Sequence, residues 1–227
     1  MGRAIYVSSV NGDDANSGYA PEKAFRSLRK VNQMEIQPGD QILLERGSVF
    51  AGEYLHLYKG GTKEAPVVVD AYGEGALPRI EADGNGIWYQ NYGGHLDNVV
   101  HTWKGYLSSA VLLYDAEYIT VRNLEITNDP LVKNERMNQA DRMNRTGVSV
   151  IAQNHGTLHQ IELAYLYIHD VEGNIYDKHL NNGGIYMSVS RPDDEEKTGI
   201  ARYDGIHIHH CKVENCRRWG IAAGYTY

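Results

Sequence analysis

The chain has 227 residues, enough for one domain with a continuous core, and its 42% hydrophobic and 22% charged residues are those of a folded globular protein. Mean hydropathy is -0.49 and no apolar run approaches 18 residues, so a helical membrane span is excluded. Lys and Arg number 22 against 29 Asp and Glu, a net charge of -7, which argues against a nucleic-acid partner held through its phosphates.

In chain order, Met1-Gly2-Arg3 leads straight into a strand-like segment with no charged-then-apolar leader. We expect a mature extracellular or periplasmic protein whose signal peptide is absent from this sequence. Residues from about Pro21 to Gln33 place Phe25, Leu28 and Val31 at helical spacing behind a proline suited to a first turn, and predict the one convincing helix. From Pro38-Gly39-Asp40 onward, short β-branched runs alternate with Gly, Asn and Asp: Gln41 to Leu44, Tyr54 to Tyr58, Val67 to Ala71, Arg79 to Ala82. Cys211 and Cys216 lie in one predicted element and cannot staple distant parts, so neither a disulfide scaffold nor a zinc ribbon is expected. The 24 Gly and 17 Tyr against 2 Phe favour tight turns and half-wet rings, a surface suited to sugars.

The second half repeats. Ile119, Val121, Leu124, Ile126, then Ile161, Leu163, Leu166, Ile168, then Ile206, Ile208, Cys211, Val213 share one spacing: a short strand, a two-residue corner and a second strand, all pointing inward. Asn128, Asp170 and Asn215 close these units at one offset. Companion strands carry inward Val111, Val148, Ile185 and Ile221, the last three directly after glycine. Three short strands per turn describe a parallel β-solenoid with coils stacked about 4.8 Å apart. A sandwich of hairpins fits less well, because Asn-Gly or Asp-Gly turns do not separate these strands.

The run Ile5 to Gly18, the helix with Phe25 and Leu28, Pro38-Gly39-Asp40, Ala65-Pro66-Val67, Ala71-Tyr72-Gly73 and Pro78-Arg79-Ile80 resemble the start of many bacterial right-handed parallel β-helix proteins of the pectin-lyase-like superfamily. The resemblance implies an all-β, right-handed parallel β-helix whose short N-terminal helix caps the first coil, and an enzyme that is a polysaccharide lyase or glycoside hydrolase. Tyr227 falls at a strand without a polar cap, so we expect a single domain over 1–227 that is truncated at its C-terminal end.

Insertions in repeat proteins gather on the binding face. Here they are Asn128 to Thr146, Asp170 to Gly183 and Asn215 to Trp219. The resemblance implies a substrate groove between these loops and the outer face of the following strand. That face reads Leu112, Ser149, Tyr186, Ala222 and Tyr114, Ile151, Ser188, Gly224, mostly small, so a groove is expected to have room. For hydrolysis the carboxylates are Asp170 and Asp177, with Asp129 as a third; for elimination Lys178 or His179 is the base and Arg217 or Arg218 the anion clamp. Asn182, Tyr186, Ser188, Arg217, Trp219 and Tyr225 are the expected substrate-binding residues. A plainer reading makes Asp177-Lys178 a solvated pair and Asn181-Asn182-Gly183-Gly184 a turn.

His169 beside Glu214 offers a general-base pair or, more simply, a charged flank. His207, His209 and His210 lack a carboxylate at ligand spacing and are not read as zinc ligands. Asp193-Asp194-Glu195-Glu196 reads as an exposed loop tip more readily than as a calcium site. Asn144-Arg145-Thr146 matches a glycosylation sequon by pattern only. The expected function is cleavage of glycosidic bonds in a polysaccharide, with a polysaccharide or oligosaccharide as the expected partner. Hydrolysis, which needs no cofactor, is placed ahead of calcium-assisted elimination because the net charge suits a polyanionic substrate poorly. A binding solenoid that uses Tyr186, Trp219 and Tyr225 as platforms is the third reading.

Overall fold

The computed structural model describes residues 2–93, 103–130, 143–174 and 181–224. Their strands stack into three parallel sheets. Sheet A runs β1 (Ala4–Val7), β2 (Gln41–Glu45), β5 (Val67–Tyr72), β9 (Ile119–Arg122), β12 (Thr157–Ala164), β15 (Arg202–His209). Sheet B runs β3 (Val49–Ala51), β6 (Arg79–Glu81), β10 (Glu125–Asn128), β13 (Tyr167–Val171), β16 (Lys212–Cys216). Sheet C runs β4 (Leu55–Leu57), β8 (Lys104–Tyr114), β11 (Asn144–Ala152), β14 (Gly183–Val189), β17 (Ile221–Ala223). This is a parallel β-helix, each coil taking one strand from every sheet.

The repeat anchors are its register. Ile119 faces Ile161 and Ile161 faces Ile206; Ile126 faces Ile168 and Ile168 faces Val213; Val111, Val148, Ile185 and Ile221 line up on sheet C. Their inward side chains form one continuous core, closed to water from Ile5 through Ile185. Between sheets A and B, successive coils turn through Asn123, Tyr165 and His210, with φ of 58°, 53° and 53°. That left-handed conformation at equivalent positions makes a two-residue corner possible. Gly184 is the second residue of β14, where a Cβ would lie 2.4 Å from Val213 Cγ1 and 2.6 Å from the Gly220 carbonyl oxygen, so close packing demands glycine there.

Two expectations change. The single helix from Pro21 to Gln33 is instead a 3-10 turn at Pro21–Lys23 and a short α1 (Leu28–Asn32). Phe25 between them is extended: its N–H donates to Tyr6 O and its carbonyl accepts from Ser8 N, pairing it with β1. The Asp14 carboxylate takes the N–H groups of Arg26 and Ser27. Leu28 and Val31 are still buried against the first coil, with α1 packed on β4, as a cap requires. The acidic run becomes an exposed turn, α2 (Glu195–Thr198), capped by the Asp194 side chain.

The second change decides where a site can be. The outer face of sheet C is not an open groove, because β7 (Ile87–Asn91) pairs antiparallel with β8 and lies over it. Trp88 and Tyr92 pack with Leu107, Leu112 and Ile151 in a second apolar cluster.

Candidate active site

Beneath β7 the outward residues of sheet C form a buried polar layer. Trp88 Nε1 donates to Ser109 Oγ at 2.8 Å, and Ser109, Thr146 and Ser149 hydroxyls bond one another at 2.7 to 2.9 Å. Gln90 Nε2 donates to Asn181 Oδ1 at 3.1 Å while Gln90 Oε1 accepts from Asn181 N. Ser188 Oγ donates to Asn181, and Asn182 accepts from Arg145 N and donates to Asn174 O. Asn182, Tyr186 and Ser188 are thus 0%, 4% and 2% exposed. They sit inside the protein, in place of the open groove expected for them. A buried amide or hydroxyl is retained only when paired, so this layer pins the β7 arm and the stems of the chain entering β14.

Sheet B differs: its outer face is open and charged. A cleft of about 630 Å³ is lined by Arg79, Glu81, Asp83, Asp129, His169 and Asp170, with Thr127 in its floor. Asp83 follows β6, Asp129 follows β10 and Asp170 is the last residue but one of β13, so three adjacent coils each contribute a carboxylate. Asp170 is placed by a β-bulge. Ile126 pairs with Ile168 but Asn128 pairs with Val171, leaving one extra residue on β13, and Asp170 has φ of 49°. Bulges of this kind re-aim a side chain at a sheet edge. The offset assigned to Asn128 and Asp170 from the repeat therefore shifts by one residue.

His169 holds the centre. Its Nδ1 lies 2.7 Å from Asp170 Oδ2 and its Nε2 3.0 Å from Glu125 Oε1. Its ring stacks on Tyr167 at 4.2 Å. The partnership expected with Glu214 is replaced: Glu214 accepts from Tyr167 Oη at 2.6 Å and Lys212 Nζ at 2.7 Å. Arg79 reaches Glu81 at 2.7 Å and Glu125 at 3.2 Å, leaving its Nε buried without a hydrogen-bond acceptor. Asp83 Oδ2 accepts from Gly52 N at 3.0 Å. Burial pushes the Asp83 carboxyl above its ordinary pKa, the carboxylates of Glu81 and Asp129 add to the rise, and the Gly52 N–H opposes it. Asp83 is thereby the better suited to holding a proton.

Of the other expected residues, Arg217 pairs with Glu172 at 2.8 Å, which lifts its pKa, with Asp129 nearby adding to the effect. Arg218, in the left-handed region at φ of 74°, lies over the exposed Trp219 ring at 5.6 Å. Asp177, Lys178, His179 and Tyr225 lie outside the described residues. Asp83 was missed, though a signal existed. Ile80 and Ile126 are register partners, and each is followed three residues later by an aspartate.

No family model matches the chain. It is similar to the crystal structures of a GH136 lacto-N-biosidase from Eubacterium ramulus: 56% identity, TM-scores of 0.95 and 0.94, and 100% and 99% of this chain covered in the selenomethionine and native forms. It is also 39% identical over 257 aligned positions to a lacto-N-biosidase of Bifidobacterium longum subsp. longum, covering 99% of this chain. The chain spans 36% of the solved enzyme and 16% of the Bifidobacterium protein. Over its own length, then, this chain is a homologue of the GH136 lacto-N-biosidase glycoside hydrolases, built as a parallel β-helix.

Proposed function

We propose that the chain provides the sheet B wall of the active site of a glycoside hydrolase that releases lacto-N-biose from oligosaccharides. The observation that carries the reading is the row Asp83, Asp129, Asp170 on three neighbouring coils along one cleft, in a chain 56% identical to a lacto-N-biosidase. Hydrolysis needs one carboxylic acid to protonate the glycosidic oxygen and one carboxylate to attack the anomeric carbon or activate water. Coil spacing of about 4.8 Å, once or twice, supplies separations of the kind both stereochemical courses use. Asp83 is the group whose surroundings favour the protonated form. Asp170, aimed by its bulge and held by His169, is the candidate second carboxyl group, with Asp129 between them. Asp177, seven residues after Asp170, stays a candidate for the same reaction.

The substrate narrows from the polysaccharide of the sequence reading to an oligosaccharide bearing a lacto-N-biose end. The test incubates these 227 residues, and the complete gene product that carries them, with lacto-N-tetraose, and follows lacto-N-biose by chromatography and unsaturated product by ultraviolet absorbance. Release of lacto-N-biose that falls in Asp83→Asn and Asp170→Asn supports the assignment. An unsaturated product, or full activity in both variants, overturns it.

A further inference from the structure

A second depression lies on sheet A, a separate face of the solenoid, across the corner formed by Asn123, Tyr165 and His210. It is about 280 Å³ in volume and is lined by two rows that run across the coils. One row is Pro66, Tyr118 and Gln160; the other is Thr120, Glu162 and His207. The first row exists because the pleat breaks at one register position. Tyr118 and Gln160 both have φ of 46°, and Gly205, opposite Gln160 on the next coil, has φ of 88°. Non-glycine residues in this region are uncommon, and two at equivalent positions on adjacent coils, Tyr118 just before β9 and Gln160 within β12, form a trough along the solenoid axis.

The polar groups of this trough are arranged outward. Glu162 is held from both neighbouring coils, accepting from Thr120 Oγ1 at 2.9 Å and lying 3.0 Å from His209 Nε2, and these contacts draw its pKa down, His209 first. Tyr118 is backed by the His159 ring at 5.7 Å and 10°, with His159 itself fixed by Glu117 at 2.8 Å. Among the described residues, the Gln160, His207 and Lys63 side chains make no hydrogen bond or ion pair, and all three are exposed. An amide, an imidazole, an ammonium and a fixed carboxylate around a supported ring can donate to and accept from hydroxyl groups, the chemistry that recognises sugars. From Pro66 to Gly205 the trough crosses four strands, three spacings of about 4.8 Å, or roughly 14 Å. That length takes a short oligosaccharide and exceeds a single sugar.

We propose that this trough is a second, non-catalytic glycan site that takes a neutral oligosaccharide of three or four sugars, with Tyr118 as platform and Gln160, Glu162 and His207 as hydrogen-bonding partners. The inference stands apart from the hydrolase reading, because it uses no cleft residue. The experiment titrates the labelled protein with lacto-N-tetraose and with cellotetraose, and reads amide and side-chain chemical shifts. Saturable shifts at Gln160, Glu162 and His207, retained in Asp170→Asn, are expected with at least one tetrasaccharide and weaker ones with galactose. Gln160→Ala/His207→Ala should weaken that binding about tenfold, two hydrogen bonds' worth, while the rest of the spectrum shows the fold intact. Shifts confined to Thr127, His169 and Asp170, no shifts at all, or an affinity unchanged in the double variant would each overturn the proposal.

Discussion

The sequence points to the outward residues of sheet C as the substrate groove and to those of sheet B chiefly as a charged flank, and the structure treats the two faces oppositely. On sheet B the row Arg79, Glu125, Tyr167, Lys212 and its neighbour Glu81, Thr127, His169, Glu214 stay at the surface and interlink by charge. On sheet C, Leu112, Ser149, Tyr186 and Ser109, Thr146, Gly183 form the corresponding rows beside β7, where Leu112 packs in the apolar cluster and Ser109, Thr146 and Ser149 interlink by neutral hydrogen bonds. Alternation tells which side chains leave the core, but a roof strand decides whether they meet water. Chemistry with a polysaccharide or oligosaccharide needs the open face, and stability draws on the closed one.

The largest effect that would sharpen this contrast is in the cleft. Asp170→Asn and Asp83→Asn, measured in the active gene product, should each lower kcat/KM by about 10²–10⁴-fold with the melting temperature nearly kept. The alkaline limb of the pH profile, where the acid loses its proton, should be the one altered in Asp83→Asn. Next comes the roof: Trp88→Ala removes a large ring of the second cluster and one of the two donors to Ser109 Oγ, so calorimetry should show a loss of about 3–5 kcal/mol. If the protein tolerates this change without loss, the closed face is not a stability element.

His56 sits on the closed face, its Nε2–H donating to Ser109 O at 2.9 Å, and burial pushes its pKa down to about 4. The unfolded chain, with a pKa of 6.5, then binds a proton that the folded one refuses. Stability therefore falls as pH drops through 6.5 toward 4, by about 2 kcal/mol between pH 7 and pH 5. Denaturation curves at the two pH values check this, and His56→Gln should flatten the dependence across that window. The smallest effect is on the solvent side of the roof. Tyr106, 64% exposed and edge-on to Tyr89 at 5.0 Å, should cost only about 0.5–1 kcal/mol when changed to Ser.

The sequence by itself determined the solenoid. Inward positions at a spacing of 2, 3, 2 fix strand, corner and strand, and a constant coil length forces equal anchors into register, so Ile119, Ile161 and Ile206 had one arrangement that buried them all. It also pointed to Asp129 and Asp170, because loop insertions on a repeat gather at one edge. The tertiary structure decided the rest. Phe25 left its helical spacing because β1 offered backbone partners that local propensity does not register. The bulge at Asp170 is one residue of slippage, visible only when two coils are paired. The roof over Asn182, Tyr186 and Ser188 comes from Trp88 and Gln90, about 90 to 100 residues earlier in the chain. Period and polarity are local properties of a sequence, whereas exposure depends on which distant segment lies on top.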